Sequence, residues 1–288
     1  MARGHWPVHR HRARREGLPR RILELSDLSL RFGGVTSLAG LTMEVRGGEL
    51  LALIGPNGAG KTSVLNCISG LYRPQAGSIT LTGRDGARHA LHRLAPHRIA
   101  AQGVARTFQN IELFKHLTVL DNLMLGRHVH MDGGVLSGGL YWGRQRQREI
   151  EHRQYVEQVI DFMNLEPFRS AVVGNLAYGN QRLVEMARAL ALDPHLLLLD
   201  EPTAGMNAEE KESMARFILD VHEEQGLTVV VVDHSIDVIM DIADRVVVLD
   251  FGRRIAEGSP DEVRGDPAVI DAYLGTSAGE FGRGEVRP

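Results

Sequence analysis

The chain has 288 residues, 43% of them hydrophobic, enough for one α/β domain with an inserted subdomain and a real core. No apolar run approaches the ~18 residues of a membrane span, no signal peptide is visible, and Cys67, the sole cysteine, excludes an internal disulfide and favours a reducing cytoplasm. Met1 to Arg21 carries seven arginines against Glu16, so the formal charge of −3 leaves 26 basic and 35 acidic residues, or −9, for the rest; a body this acidic argues against nucleic-acid binding.

Residues 1–21 have no periodicity to hold them in a fold and read as a disordered basic tail, whose arginines and histidines could also touch anionic lipid or RNA. Ile22 to Phe32 alternates as a strand, Gly33 and Gly34 turn it, Val35 to Val45 resumes, and Gly47 with Gly48 breaks the chain again. Phe32 is thus an aromatic at a strand end, placed for the core, an edge or a stacking role.

Leu50 to Ile54 is an apolar run that opens into Gly55, Pro56, Asn57, Gly58, Ala59 and Gly60, then Lys61, Thr62, Ser63 and a helical pattern with Val64, Leu65 and Ile68 on one face. Strand, glycine-rich loop and helix in this order make a phosphate loop. Its backbone N–H groups and the helix dipole suit a polyphosphate; Lys61 reaches the β- and γ-phosphates, Thr62 offers a hydroxyl to Mg²⁺, and Ser63 is placed for the α-phosphate. Only three lysines occur among 33 basic residues, which makes a lysine at this position informative. Cys67, on the same helix, reads as a packing residue.

Ile79 to Thr82 is a short strand, and Ile99 to Phe108 holds a helix end, Gly103 and a short strand leading to Gln109, which can reach Mg²⁺ or its water. From Leu117 to about Asn175 the pattern is helical and polar, an inserted subdomain. Leu136, Ser137, Gly138 and Gly139 spell the core of an ATPase signature, but no glutamine or acidic strand follows, so the stretch reads as a decoy loop. The better candidate is Leu176 to Arg182, LAYGNQR, opening a helix with apolar Leu183, Met186, Ala187 and Leu190 and stopped by Asp193-Pro194. Gly179 there lies at a second helix start suited to an anion.

Leu196 to Leu199 is a buried strand ending in Asp200 and Glu201. Two carboxylates there need partners, and a Mg²⁺-nucleotide supplies them. Asp200 would hold Mg²⁺ through water, and Glu201 would polarise the attacking water. Thr228 to Val232 is the next buried strand and ends at Asp233-His234, which puts His234 in reach of a γ-phosphate.

Together these motifs resemble an ABC transporter ATPase over about Ile22 to Gly275, with phosphate loop, glutamine loop, signature, acidic strand and switch histidine in order. GVARTFQNIELF at Gly103 to Phe114, LAYGNQR, AGMN at Ala204 to Asn207 and VIDAYLG at Val269 to Gly275 are similar to the G-type ATP-binding subunit of branched-chain amino acid importers. The resemblance implies an α/β P-loop NTPase core with an antiparallel β subdomain and a helical subdomain at about 115–180, in one ATPase domain over 22–275 followed by a disordered tail at 276–288. It implies ATP and Mg²⁺ as cofactors, Phe32 stacking on adenine, Glu201, His234 and Gln109 as catalytic residues, and Thr62, Gln109 and Asp200 around the metal. Ala177, Tyr178, Gly179 and Asn180 become the signature. Ala177 stands where the wider family has serine, so backbone N–H groups must make its phosphate contact.

The same resemblance implies transmembrane permease subunits, a second ATPase subunit, a substrate-binding protein acting indirectly, and a peripheral place at the cytoplasmic face of the membrane. The alternatives are a urea or amide importer and a non-transport cytosolic ABC ATPase.

Overall fold

The computed structural model describes residues 21–109, 111–127 and 144–274; the basic tail before Arg21, the LSGG stretch at Leu136–Gly139 and the chain end lie outside the described residues. In chain order, strand β1 is Leu23–Phe32, β2 Val35–Val45 and β3 Leu50–Ile54; helix α1 is Lys61–Ile68, followed by β4 Ala76–Thr82 and β5 Arg88–Ala90. Then come α2 Pro96–Ala101, β6 Val104–Arg106, α3 Val119–Arg127, α4 Arg144–Phe162, α5 Tyr178–Ala191, β7 Leu196–Asp200 and α6 Ala208–Gln225. The described chain closes with β8 Thr228–Val232, α7 Ile236–Met240, β9 Arg245–Asp250, β10 Arg253–Gly258, α8 Pro260–Arg264 and α9 Pro267–Leu274.

Of the described residues, those within Leu18–Ala95 and Thr228–Pro288 form one compact unit and those within Pro96–Leu227 a second. The first unit holds an antiparallel sheet in the order β2-β1-β4-β5. Leu23, Leu25, Leu28 and Leu30 of β1 are all buried, and the step from spacing two to spacing three between Leu25 and Leu28 is absorbed by a bulge at Asp27, whose φ is 50°. Strand β4 begins three residues before the expected Ile79, because Gly77 runs close against the backbone of Ser26 and Asp27, where a Cβ would lie 2.4 Å from Ser26 O. Strand β5 carries no alternation over its three residues and escapes sequence reading.

The same unit also orders β10, β9, β3 and β8 side by side, β3 parallel to both β8 and β9 and β10 antiparallel to β9. Every residue of β3 and β8 is buried, the run expected of parallel strands covered on both faces. In the second unit β6 pairs parallel with the wholly buried β7, Val104 opposite Leu196. The polar stretch expected to be helical supplies α3 and α4, and among the described residues there an isolated bridge joins Thr118 to Val172. No helix among the described residues is long and apolar enough to cross a membrane.

Candidate functional site

The first unit carries the phosphate loop. Gly55 to Gly60 joins β3 to α1, and its glycines are dictated by contact as well as by dihedral angle: a Cβ on Gly55 would lie 2.1 Å from Leu249 O, and one on Gly60, at φ 102°, 2.6 Å from Ser37 O. Helix α1 begins at Gly60 with no side-chain cap and no acidic residue in its first turn, so its own side chains offer nothing to the donors there. Lys61 is buried and curls back, its ammonium donating to Gly55 O at 2.6 Å and Pro56 O at 2.9 Å. The loop thus holds a cation against its own carbonyls, with open space beside Gly58, where a Cβ would meet nothing within 4 Å. That arrangement fits a polyphosphate.

The loop is braced from behind by the turn between β9 and β10, where Gly252 donates to Ala59 O at 3.0 Å and accepts from Ala39 N–H at 3.0 Å. Ser63, the residue expected at the α-phosphate, exchanges a hydroxyl hydrogen bond with Ser37 at 2.7 Å. Phe32 is 47% exposed and makes a T-shaped pair with Tyr72, ring centroids 5.0 Å apart. His234 follows β8 and the buried Asp233, and is exposed. Burial pushes the Cys67 thiol up to about 12, in keeping with its packing role.

The second unit carries the carboxylates. Asp200 ends β7 at 2% exposure, and its Oδ2 accepts from the Arg106 guanidinium at 2.8 Å. Glu201 follows in the left-handed region at φ 50°, a conformation that costs an ordinary residue about 1–3 kcal/mol, and is 9% exposed. Its Oε2 accepts from Gln109 Nε2 at 2.9 Å. The structure therefore brings Gln109 and Glu201 together and corrects one step of the sequence argument: both carboxylates have protein partners already, Arg106 and Gln109, and do not depend on a metal for them. The Asp200 carboxylate is a hard oxygen ligand of the kind Mg²⁺ takes, an ion that uses few carboxylates and keeps water.

Helix α5 starts at Tyr178 with Ala177 as an N-cap that contributes no side-chain bond and with no acidic residue in the first turn. Gly179 is buried, and a Cβ there would meet Glu210 Oε1 at 2.8 Å; the Tyr178 ring lies under Gly205, where a Cβ would be 3.0 Å away. Asn180 is half-buried. The buried face of α5 departs from the apolar stripe read in the sequence: Val184 is buried, Leu183 only half, and Arg182 and Glu185 join the interior as an ion pair at 3.1 Å. Burial raises the Glu185 carboxyl from the usual 4.5, against the lowering influence of Phe108 N–H and Arg182.

Arg106, Arg182 and Glu185 are the residues sequence reasoning missed. The available signal was spacing: Gly179, Arg182 and Glu185 recur every three residues on the face that Met186 and Ala189 bury, so two charges sit where apolar residues belong.

Comparison with known proteins bears on all of this. The profile described as ABC transporter matches residues 38–204, and that of the branched-chain amino acid ATP-binding cassette transporter matches residues 253–279. The chain is 39% identical over 258 residues to the high-affinity branched-chain amino acid transport ATP-binding protein BraF of Pseudomonas aeruginosa, covering 90% of this chain and 99% of the relative. Among solved structures it is similar to an ATP-binding cassette of an ABC transporter in its ADP conformation, with a TM-score of 0.75 at 26% identity over 89% of this chain and 100% of the other. A dimeric bacterial ABC transporter cassette is similar at a TM-score of 0.68 and 26% identity, over 83% of this chain and 99% of that one.

Proposed function

Because the chain belongs to the ABC transporter family of ATP-binding proteins, we propose that it is the ATP-hydrolysing subunit that powers import of branched-chain or related amino acids. The observation that carries the chemistry is Glu201, held by Gln109 at 2.9 Å beside the buried Asp200. The match over residues 253–279 and the likeness to BraF support the substrate class. Transmembrane permease subunits, a second ATPase subunit and an indirectly engaged substrate-binding protein are the partners this role calls for, and the cytoplasmic face of the membrane is its place.

In this reading Phe32 stacks on adenine, and the N–H groups of Gly55, Asn57, Gly58, Ala59 and Gly60 bind the phosphates with Lys61, Thr62 and Ser63, Pro56 shaping the loop without a donor of its own. Thr62 and Asp200 would hold Mg²⁺, with Gln109 near its water; the ion supplies neutralisation of charge on the transferring phosphoryl group. Glu201 accepts the proton of the attacking water, and His234 contacts the γ-phosphate. Ala177, Tyr178, Gly179 and Asn180 bind the γ-phosphate held by the opposite subunit, through backbone N–H groups and the dipole of α5.

Glu201→Gln tests the assignment. It keeps size and removes the base, so ATP turnover falls ~10²–10⁴-fold while ATP affinity survives, and the variant accumulates as an ATP-bound dimer in light scattering. A variant that hydrolyses ATP at the wild-type rate moves the base to another residue.

A further inference from the structure

Arg182 and Glu185 are charges at 4% and 2% exposure that the reaction above does not use. Arg182 donates to two consecutive carbonyls, Phe108 O at 2.9 Å and Gln109 O at 2.5 Å, and also to the Tyr178 hydroxyl at 3.1 Å and to Glu185 at 3.1 Å. Glu185 accepts the Phe108 N–H at 3.2 Å. One ion pair therefore holds the peptide groups on either side of the Gln109 Cα, whose side chain donates to Glu201. Only a planar fork of donors spans two adjacent carbonyls in this way. An apolar pair would pack as stably in such a place, so stability alone does not call for these charges.

We propose that Arg182 and Glu185 are positioning residues, tying the start of α5 to the Gln109 loop and so fixing the Gln109–Glu201 hydrogen bond. The catalytic meaning of that bond rests on the function proposed above; the clamp itself does not. Tyr178, 43% exposed, is its outer end. A ligand or partner surface lodged at the start of α5 meets a ring whose hydroxyl Arg182 holds, and the strain passes to Gln109 along atoms already in contact.

The test uses the full chain labelled with ¹⁵N-glutamine, the Gln109 side-chain amide being identified by its disappearance in Gln109→Met. Arg182→Lys keeps the charge beside Glu185 but cannot fork. The Gln109 amide resonance should move toward its position in Glu201→Ala, and kcat for ATP should fall about 10–100-fold with the Kd for a fluorescent ATP analogue within about twofold. Tyr178→Phe deletes one hydroxyl and no buried charge, so it folds regardless, and should move the resonance the same way by less. An unmoved Gln109 amide in both variants overturns the clamp. A wild type that does not hydrolyse ATP overturns the function proposed above, and the resonance still decides the clamp.

Discussion

The buried pair between Arg106 and Asp200 yields the most quantitative expectation. The side chains are 6% and 2% exposed, the contact is 2.8 Å, and the guanidinium also lies 5.2 Å over the Phe108 ring. Arg106→Met keeps most of the side-chain volume and removes the charge opposite Asp200. Breaking a buried pair from one side costs about 3–5 kcal/mol, since the remaining carboxylate has lost its compensating charge. At about 2–4 °C per kcal/mol for a chain of this size, the unfolding midpoint should drop by roughly 6–20 °C. Arg106→Met with Asp200→Leu replaces both charges by apolar groups and should recover most of that loss. Saturating Mg²⁺-ATP should narrow the gap between wild type and the single variant, because it returns positive charge to Asp200. Scanning fluorimetry and urea unfolding read each of these. A single variant within about 1 kcal/mol of wild type, or a double variant no better than the single, would refute the reasoning.

Two further outcomes follow from geometry and from titration. Gly60→Ala, with φ 102° and a Cβ 2.6 Å from a backbone oxygen, should weaken ATP binding more than tenfold in a fluorescence titration, whereas Gly33→Ala, at φ 56° with nothing within 4 Å, should leave it intact and cost about 1 kcal/mol in unfolding. Glu185 binds its proton more tightly folded than unfolded, so ionising it costs stability that is absent below the ordinary 4.5 and fully felt above the raised value. Glu185→Gln should therefore gain stability relative to wild type as pH rises from about 4 toward neutrality, and a pH-independent difference in unfolding midpoint would contradict this.

What the sequence disclosed depended on whether partners are near in the chain. The loop from Gly55 to Ser63 was legible because strand, glycines, lysine and helix face are contiguous, and β7 and β8 were legible because four buried apolar residues in a row leave few alternatives. The strand β2 from Val35 to Val45 matched to the residue because Gly33 and Gly47 punctuate it. Arg106 was read as one more residue of a short strand, since its partner lies 94 residues on. Arg182 and Glu185 fall outside the apolar set Leu183, Met186, Ala187 and Leu190, and the carbonyls and N–H they serve are 73 to 77 residues away. Nothing local marks a charge as buried. The partition at Pro96 and Leu227 was likewise invisible, because it divides the chain by contact and not by any change of composition.

The brace behind the phosphate loop sets an order of events during synthesis. Ala59 accepts from Gly252, Gly55 lies against Leu249, and β3 is flanked by β8 and β9, so the loop's rear wall is made by residues translated about 190 positions later. Closing contacts of that separation comes late in folding. A ribosome that has delivered the whole fingerprint from Gly55 to Ser63 has therefore not delivered a nucleotide-binding protein. Until the β9–β10 turn emerges, the glycines form an unbraced segment of a growing chain, without the Gly252 hydrogen bond and the Leu249 backbone that back the loop.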